Sequence, residues 1–324
     1  ITDCRLPIMK ILVTGAAGFI GFHLCKSLLD DGYKVLGIDN INDYYDPNLK
    51  LARLDQLKPY NNFTFNKVDI ADRESLTNSF QSFNPNKVVN LAAQAGVRYS
   101  IKNPYAYMNS NLVGFLNIIE LCRHNNVEGF IYASSSSVYG GNTKIPFSVE
   151  DRVDNPISLY AASKKSNELI ANAYSHLYGL HTTGLRYFTV YGPWGRPDMA
   201  MFIFTKKILA DEPIPVFNHG NMKRDFTYID DIIAGTRSAI HKNYKCEVFN
   251  LGNHRSEELM DVIDLIEKEL GKKAEINYLP MQPGDVAETF SEICKSADMI
   301  GYRPTISIKK GIPNFIKWFK GYNK

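Results

Sequence analysis

The chain has 324 residues, 44% of them hydrophobic and 22% charged, with a formal net charge of +3. That composition supports a sizeable core in one large domain or two unequal ones, and so small a charge argues against nucleic acid as the main partner. No apolar stretch approaches the roughly 18 residues of a membrane span. The five cysteines (Cys4, Cys25, Cys122, Cys246, Cys294) show no metal-ligand spacing, so no metal site is expected. Free thiols fit a reducing, cytoplasmic compartment.

Residues Ile1 to Ile8 lack the apolar run of a signal peptide and read as an extension ahead of Met9. From Lys10 onward, short apolar runs alternate with amphipathic stretches. Strands are expected at Lys10–Thr14, Lys34–Ile38, Thr64–Val68, Lys87–Leu91, Gly129–Ser134 and His181–Tyr187. Helices are expected between them at Phe19–Asp31, Arg73–Phe83, Asn109–Asn125 and Ser158–Tyr178. Several of the strands are continuously apolar, as they are when both sheet faces are covered. The alternation therefore predicts an α/β fold with a parallel, doubly wound (Rossmann) sheet and right-handed crossovers.

After Thr189 the rhythm breaks and Gly192, Pro193, Gly195, Pro197, Pro213 and Pro215 crowd together. Short, mixed elements are expected here, forming a smaller α/β domain that carries substrate loops. A helix at Ile229–His241 and a strand at Glu247–Leu251 are expected to return to the first domain. The division is thus 9–188 with a return at 229–252, and 189–228 with 253–324 as the second unit.

Gly15, Gly18 and Gly21 follow the first strand directly, and Phe19 and Ile20 open the first helix. A glycine turn between strand and helix brings backbone N–H groups up to a pyrophosphate. Three glycines can also serve plain chain reversal, but their place in the alternating pattern favours a dinucleotide. Asp39, followed by Asn40, ends the second strand where a carboxylate can hold the adenosine ribose; its charge would repel a 2′-phosphate, which favours NAD over NADP. Asp69 and Ile70 are candidates for the adenine edge, although an acid leaving a strand can equally cap a helix, and Asp72 competes for that cap. Leu91, Ala92 and Ala93 leave the fourth strand with little side-chain bulk, so backbone can lie close to the cofactor.

Tyr160 and Lys164 stand four apart at the start of a helix, on one face. An ammonium near a phenol favours the phenolate, which can accept a proton from an alcohol. Alone, the pair is a common surface feature. It is joined by Ser134, Ser135, Ser136 and Ser137 at the end of the fifth strand, where this sheet class opens its ligand crevice. Hydroxyls there can stabilise a developing charge.

Together, the glycine loop, the serine run and YxxxK resemble the extended, nucleotide-sugar-modifying branch of the short-chain dehydrogenase/reductase superfamily, from Met9 to the end of the chain. The resemblance implies that Tyr160 is the base, Lys164 its electrostatic partner and Ser135 the third catalytic hydroxyl, with Asn111 and Tyr187 at the cofactor. It also implies that elimination and decarboxylation chemistry is missing, because the relatives that perform it carry Asp or Glu where this chain has Ser136 and Ser137. The stretches Ala93–Ser100, with Arg98, and Arg186–Ala200, with Thr189 and Arg196, resemble the uronic-acid 4-epimerases. Val216, Phe217, Arg224, Gln282 and Asp285 match elements that hold uridine diphosphate (UDP).

The function implied is NAD-dependent interconversion of UDP-glucuronate and UDP-galacturonate in polysaccharide biosynthesis. Its nearest alternatives are 4-epimerisation of UDP-glucose or UDP-N-acetylglucosamine, a net redox enzyme or decarboxylase, and a non-catalytic NAD sensor. Surface ion pairing is the competing reading for each arginine, a backbone-bonded strand end for Thr189, and core packing for Phe217. A homodimer through Asn109–Asn125 and Ser158–Tyr178 follows from the resemblance alone.

Overall fold

The computed structural model describes residues 8–323, so residues 1–7 of the expected extension lie outside the described residues. In chain order the first half holds β1 (Lys10–Thr14), α1 (Phe19–Asp30), β2 (Lys34–Asp39), α2 (Pro47–Leu57), β3 (Phe63–Lys67), α3 (Arg73–Phe83) and β4 (Lys87–Asn90). Then come α4 (Val97–Lys102), α5 (Pro104–Tyr107), a π-helical turn (Met108–Val113), α6 (Gly114–His124), β5 (Gly129–Ser135), α7 (Leu159–Tyr178), β6 (Thr182–Tyr187) and β7 (Thr189–Tyr191). The remainder is α8 (Ala200–Leu209), β8 (Ile214–Phe217), β9 (Lys223–Arg224), β10 (Phe226–Tyr228), α9 (Ile229–Lys242), β11 (Cys246–Leu251), β12 (Glu257–Glu258), α10 (Leu259–Leu270), β13 (Ile276–Leu279), α11 (Cys294–Ile300) and α12 (Ile308–Tyr322).

Seven strands form one sheet in the order β11-β6-β5-β4-β1-β2-β3, all in parallel register. Its central strands are fully buried, Ile11, Leu12 and Val13 on β1 and Val88 and Val89 on β4 among them, because helices cover both faces. The order of winding reverses between β1 and β4, so the loops after these two parallel strands diverge and leave a crevice at their C-terminal ends. That crevice is where the site lies. The expected α/β doubly wound sheet is the one observed.

Two expectations need correction. The helix read as Asn109–Asn125 begins further back, at Pro104, and runs through the π turn before becoming regular at Gly114. Past Thr189 the elements are not uniformly short. Helices α10 and α12 span 12 and 15 residues, and their apolar stripes (Val262, Ile263, Ile266; Ile312, Phe315, Ile316, Phe319) pack together in the main core. Strand β11 lies beside β6 at the sheet edge, which brings Asn250 and Leu251 next to Arg186 and Tyr187.

Candidate active site

The crevice is a cavity of about 800 Å³ that runs from the glycine loop, past the ends of β4 and β5, to β8 and the loop around Asp285. At one end, Gly15 takes φ +72° and sits against β4, where a Cβ would come within 2.8 Å of the Ala92 nitrogen. Gly21 is closer still: any side chain there would overlap the Gly15 carbonyl oxygen. The loop is therefore folded tightly back on itself, and no side chain caps α1. Its first-turn N–H groups, at Phe19, Ile20 and Gly21, are left to a ligand, and the dipole there favours an anion. These residues line the cavity.

Asp39 closes the same end. Its carboxylate accepts from Ala17 N (3.1 Å) and Ile41 N (2.9 Å), which fixes it beside the glycine loop, and burial raises its pKa. Asn40 donates to Asp69 Oδ2 (2.8 Å), so the ends of β2 and β3 form one polar rim. The competition for the cap of α3 is resolved in favour of Asp72, which accepts from Glu74 N and Ser75 N. Asp69 is left facing the cavity together with Ile70, Leu91, Ala92 and Ala93. A pyrophosphate cradle, an open helix terminus and a carboxylate one loop away are the donor set that a dinucleotide such as NAD requires.

In the middle of the cavity stand Tyr160, Lys164, Tyr187 and the serine run. Strand β5 ends at Ser135, whose Oγ accepts from Ser137 N (3.1 Å) and so turns the chain into a single 3₁₀ turn. That turn exposes Ser135, Ser136 and Ser137 to the cavity. Ser134, itself buried, donates to Glu168 (2.6 Å), which is held bidentately by Arg186 at 2.8 and 2.9 Å. Lys164 donates to the Ala133 carbonyl (2.8 Å), and its burial lowers its pKa from the ordinary 10.5 to about 8. Burial also raises the Tyr160 phenol; the opposing pulls come from the Ser135 hydroxyl and from Arg196. The expected lowering of the phenol by Lys164 is thus not what governs it here, because the ammonium is turned toward Ala133 and is itself weakened by desolvation.

Asn111 needs correcting as a cofactor contact. It is 2% exposed and lies outside the cavity lining, with its Oδ1 on Gln94 N (2.8 Å) and its Nδ2 on Gln94 O (3.0 Å) and Ser163 Oγ (2.9 Å). The π turn points this side chain inward, where it ties the loop after β4 to the catalytic helix α7.

At the far end Arg98, Phe217, Arg224 and Asp285 are brought together. Arg224 donates to Asp285 Oδ1 at 2.8 Å, Arg98 reaches Asp285 Oδ2 at 3.7 Å, and its guanidinium lies 4.7 Å from the centre of the Phe217 ring. Phe217 is thus a cavity wall and not core. Val216 is the reverse. It is fully buried, because alternate residues of β8 face opposite ways, and Pro215 lines the cavity with Phe217 instead. Gln282 is also outside the lining; its carbonyl accepts from Asp285 N (3.2 Å), closing the turn that presents Asp285. Thr189 and Arg196 line the cavity between the two ends. Arg196 is paired bidentately with Asp198, at 2.9 and 2.5 Å.

Residues 11–252 match the family model described as the NAD dependent epimerase/dehydratase family. The chain belongs to this family. Among its relatives, Protein CapI of Staphylococcus aureus is 52% identical over 98% of this chain and 100% of its own length. UDP-glucuronate 4-epimerase 4 of Arabidopsis thaliana is 46% identical over 97% of this chain and 76% of its own. The crystal structure of UDP-glucuronic acid 4-epimerase from Bacillus cereus, in complex with UDP-glucuronic acid and NAD, superposes with a TM-score of 0.92 at 38% identity, covering 97% of this chain and 100% of that one.

Within this epimerase/dehydratase frame the cavity has a wall the sequence reading missed. Asn42, Tyr44, Tyr45, Lys50, Tyr99 and Asp198 line it, and Tyr44 donates to Asp198 Oδ2 (3.1 Å) while packing 4.8 Å from Tyr99. A tyrosine pair in the turn-forming stretch Asn42–Pro47, directly after Asp39, was the available signal.

Proposed function

We propose that this NAD-dependent isomerase catalyses the 4-epimerisation of UDP-glucuronate to UDP-galacturonate, with proton transfer at O4 carried by Tyr160. The observation that carries the reading is the hydroxyl run Ser135–Ser137 facing Tyr160 with no acid among them, beside a cavity end that has the dinucleotide donor set. The glycine loop, Asp39 and the rim of Asn40 and Asp69 would hold NAD there, which would supply a reversible two-electron acceptor.

The chain's own groups do the rest. Tyr160 accepts the O4 proton and gives it back; Ser135 holds the same oxygen and steadies its charge. Lys164, desolvated and cationic below about pH 8, keeps the region positive while the phenol is ionised. Arg224 and Asp285, with Phe217, grip the UDP moiety, so that the hexose can turn over between the two half-reactions. A 4-keto hexuronate is a β-keto acid, which loses carbon dioxide when its carboxylate bond stands perpendicular to the carbonyl. Ser136, Ser137, Thr189 and Arg196 surround the sugar space with short hydroxyls and one guanidinium, a donor set fit to pin that carboxylate in the plane.

A homodimer and a cytoplasmic setting belong to the same reading. Tyr105, Met108, Val113, Leu116, Leu169 and Leu177 leave a band of exposed apolar side chains along the π turn, α6 and α7. The four described cysteines are unpaired, and among the described residues no helix is long and apolar enough to cross a membrane. The test is an assay of the purified protein against UDP-glucuronate, UDP-glucose and UDP-N-acetylglucosamine with no NAD added. Turnover of UDP-glucuronate alone, without carbon dioxide release, is expected. Preferred turnover of a neutral sugar would sink the uronate reading, and pentose product or accumulated NADH would point to net oxidation.

A further inference from the structure

Arg53 is fully buried, yet among the described residues no carboxylate pairs with it, and every hydrogen bond of its guanidinium goes to a carbonyl or a hydroxyl. Its guanidinium is spent on backbone and one phenol. Nε and one terminal nitrogen donate to the Trp194 carbonyl at 3.1 and 2.6 Å, and that same nitrogen reaches the Gly195 carbonyl at 3.3 Å. The other terminal nitrogen donates to the Ala17 carbonyl at 2.9 Å and to the Tyr45 hydroxyl at 2.7 Å. One side chain therefore joins the glycine loop, the loop after β2 and the segment that precedes Arg196.

That segment is poorly determined by its own backbone preferences. Gly192 takes φ +146° and Trp194 φ +61°, a left-handed conformation that a residue with a Cβ adopts only when its surroundings impose it. Trp194 packs on Trp318 and Tyr322 of α12, while two further side-chain bonds to this stretch come from the same side as Arg53. His23 of α1 bonds the Pro193 carbonyl at 2.9 Å, and Tyr44 donates to Asp198, the bidentate partner of Arg196. Each of these hydrogen-bonding anchors stands on α1, α2 or the loops that frame the cofactor end of the cavity.

We propose that Arg53, assisted by Tyr44, is a positioning residue that fixes the Arg196 guanidinium over the sugar and so sets how strongly the site selects a substrate with a carboxylate at C6. This rests on the uronate reading above. A flat fork with donors on both edges can serve acceptors on three segments at once, and a lysine ammonium cannot reproduce that geometry. The burial of a charge that forms no ion pair is then accounted for, since an apolar side chain of the same volume would leave the Ala17, Trp194 and Gly195 carbonyls unlinked.

The test compares wild type, Arg53→Lys and Tyr44→Phe as purified holoenzymes. NAD content is read from the supernatant after denaturation, and binding of UDP-glucuronate and of UDP-glucose is measured by calorimetry, since the two ligands differ only at C6. In Arg53→Lys the NAD content is expected to stay at wild-type level while the preference for UDP-glucuronate falls on the order of tenfold. Tyr44→Phe, which leaves the buried cluster intact, is expected to move the preference in the same direction by a smaller factor. A wild-type preference in both variants overturns the proposal, even if their melting temperatures fall. Loss of NAD from a folded Arg53→Lys also overturns it, by assigning the residue to the cofactor. If Arg53→Lys does not fold, the Tyr44→Phe result decides alone. Absence of any preference in the wild type overturns the uronate reading itself, which the variant comparison keeps separate.

Discussion

At the scale of single residues, the proposed chemistry rests on two buried groups shifted away from their ordinary titration ranges. Tyr160 is pushed up by burial and Lys164 is pulled down to about 8 by the same cause. Replacing Tyr160 with Phe removes the proposed proton acceptor without emptying space, so turnover should fall by a factor of about 10² to 10⁴ while NAD remains bound. Assay of the variant together with NAD release on denaturation checks both halves. For Lys164 the sign is fixed by its depressed pKa: the ammonium is present below about pH 8 and lost above it. The kcat/KM profile should therefore decline as pH rises through about 8. In Lys164→Arg, whose charge persists, that alkaline decline should disappear; a profile identical to wild type would remove Lys164 from the rate.

At the scale of elements, the glycine loop and the π turn do the positioning. A Cβ at position 21 would overlap the Gly15 carbonyl oxygen, so Gly21→Ala must open the loop and is expected to cost about 1–3 kcal/mol and most of the bound NAD. Thermal melting and cofactor content report the two losses. Asn111→Ala leaves the buried Gln94 N–H and carbonyl without partners, at about 1–3 kcal/mol. It should slow turnover through the loop that carries Ala92 and Ala93, with UDP affinity unchanged.

The contrast between these two elements explains how much was legible. The strand–glycine loop–helix unit, Asp39 and YxxxK are local patterns, and the structure gathers them around one crevice at the C-terminal ends of the strands. The role of Asn111 was not legible because a π turn shifts the facing of a side chain relative to regular helical spacing. Helix α2 escaped for a different reason. Asp46 and Pro47 form a clear helix start, but the buried face of the helix carries Lys50 and Arg53, so its apolar stripe is broken where it meets the cavity. The wall made by Tyr44, Tyr45 and Asp198 joins residues more than 150 positions apart, and no local pattern encodes it.

At the scale of the whole molecule, a seven-stranded sheet places the end proposed for the cofactor and the end proposed for the nucleotide sugar at opposite sides of one crevice, with the hydroxyl run between them. The apolar band along α6 and α7 predicts association in solution. Sedimentation equilibrium should give a dimer for the wild type and a folded monomer for a Leu116→Lys, Leu169→Lys double variant. A wild-type monomer would leave that band without the partner assigned to it.

In the proposed reaction one chain, with its retained NAD, inverts C4 of a UDP-hexuronate and restores every electron it removes. The most direct measurement uses UDP-glucuronate carrying deuterium at C4, incubated with purified protein and no added cofactor, with the product followed by NMR. The expected product is UDP-galacturonate with the deuterium still on C4 and no carbon dioxide released. Loss of the label to solvent, or release of a pentose product, would contradict it.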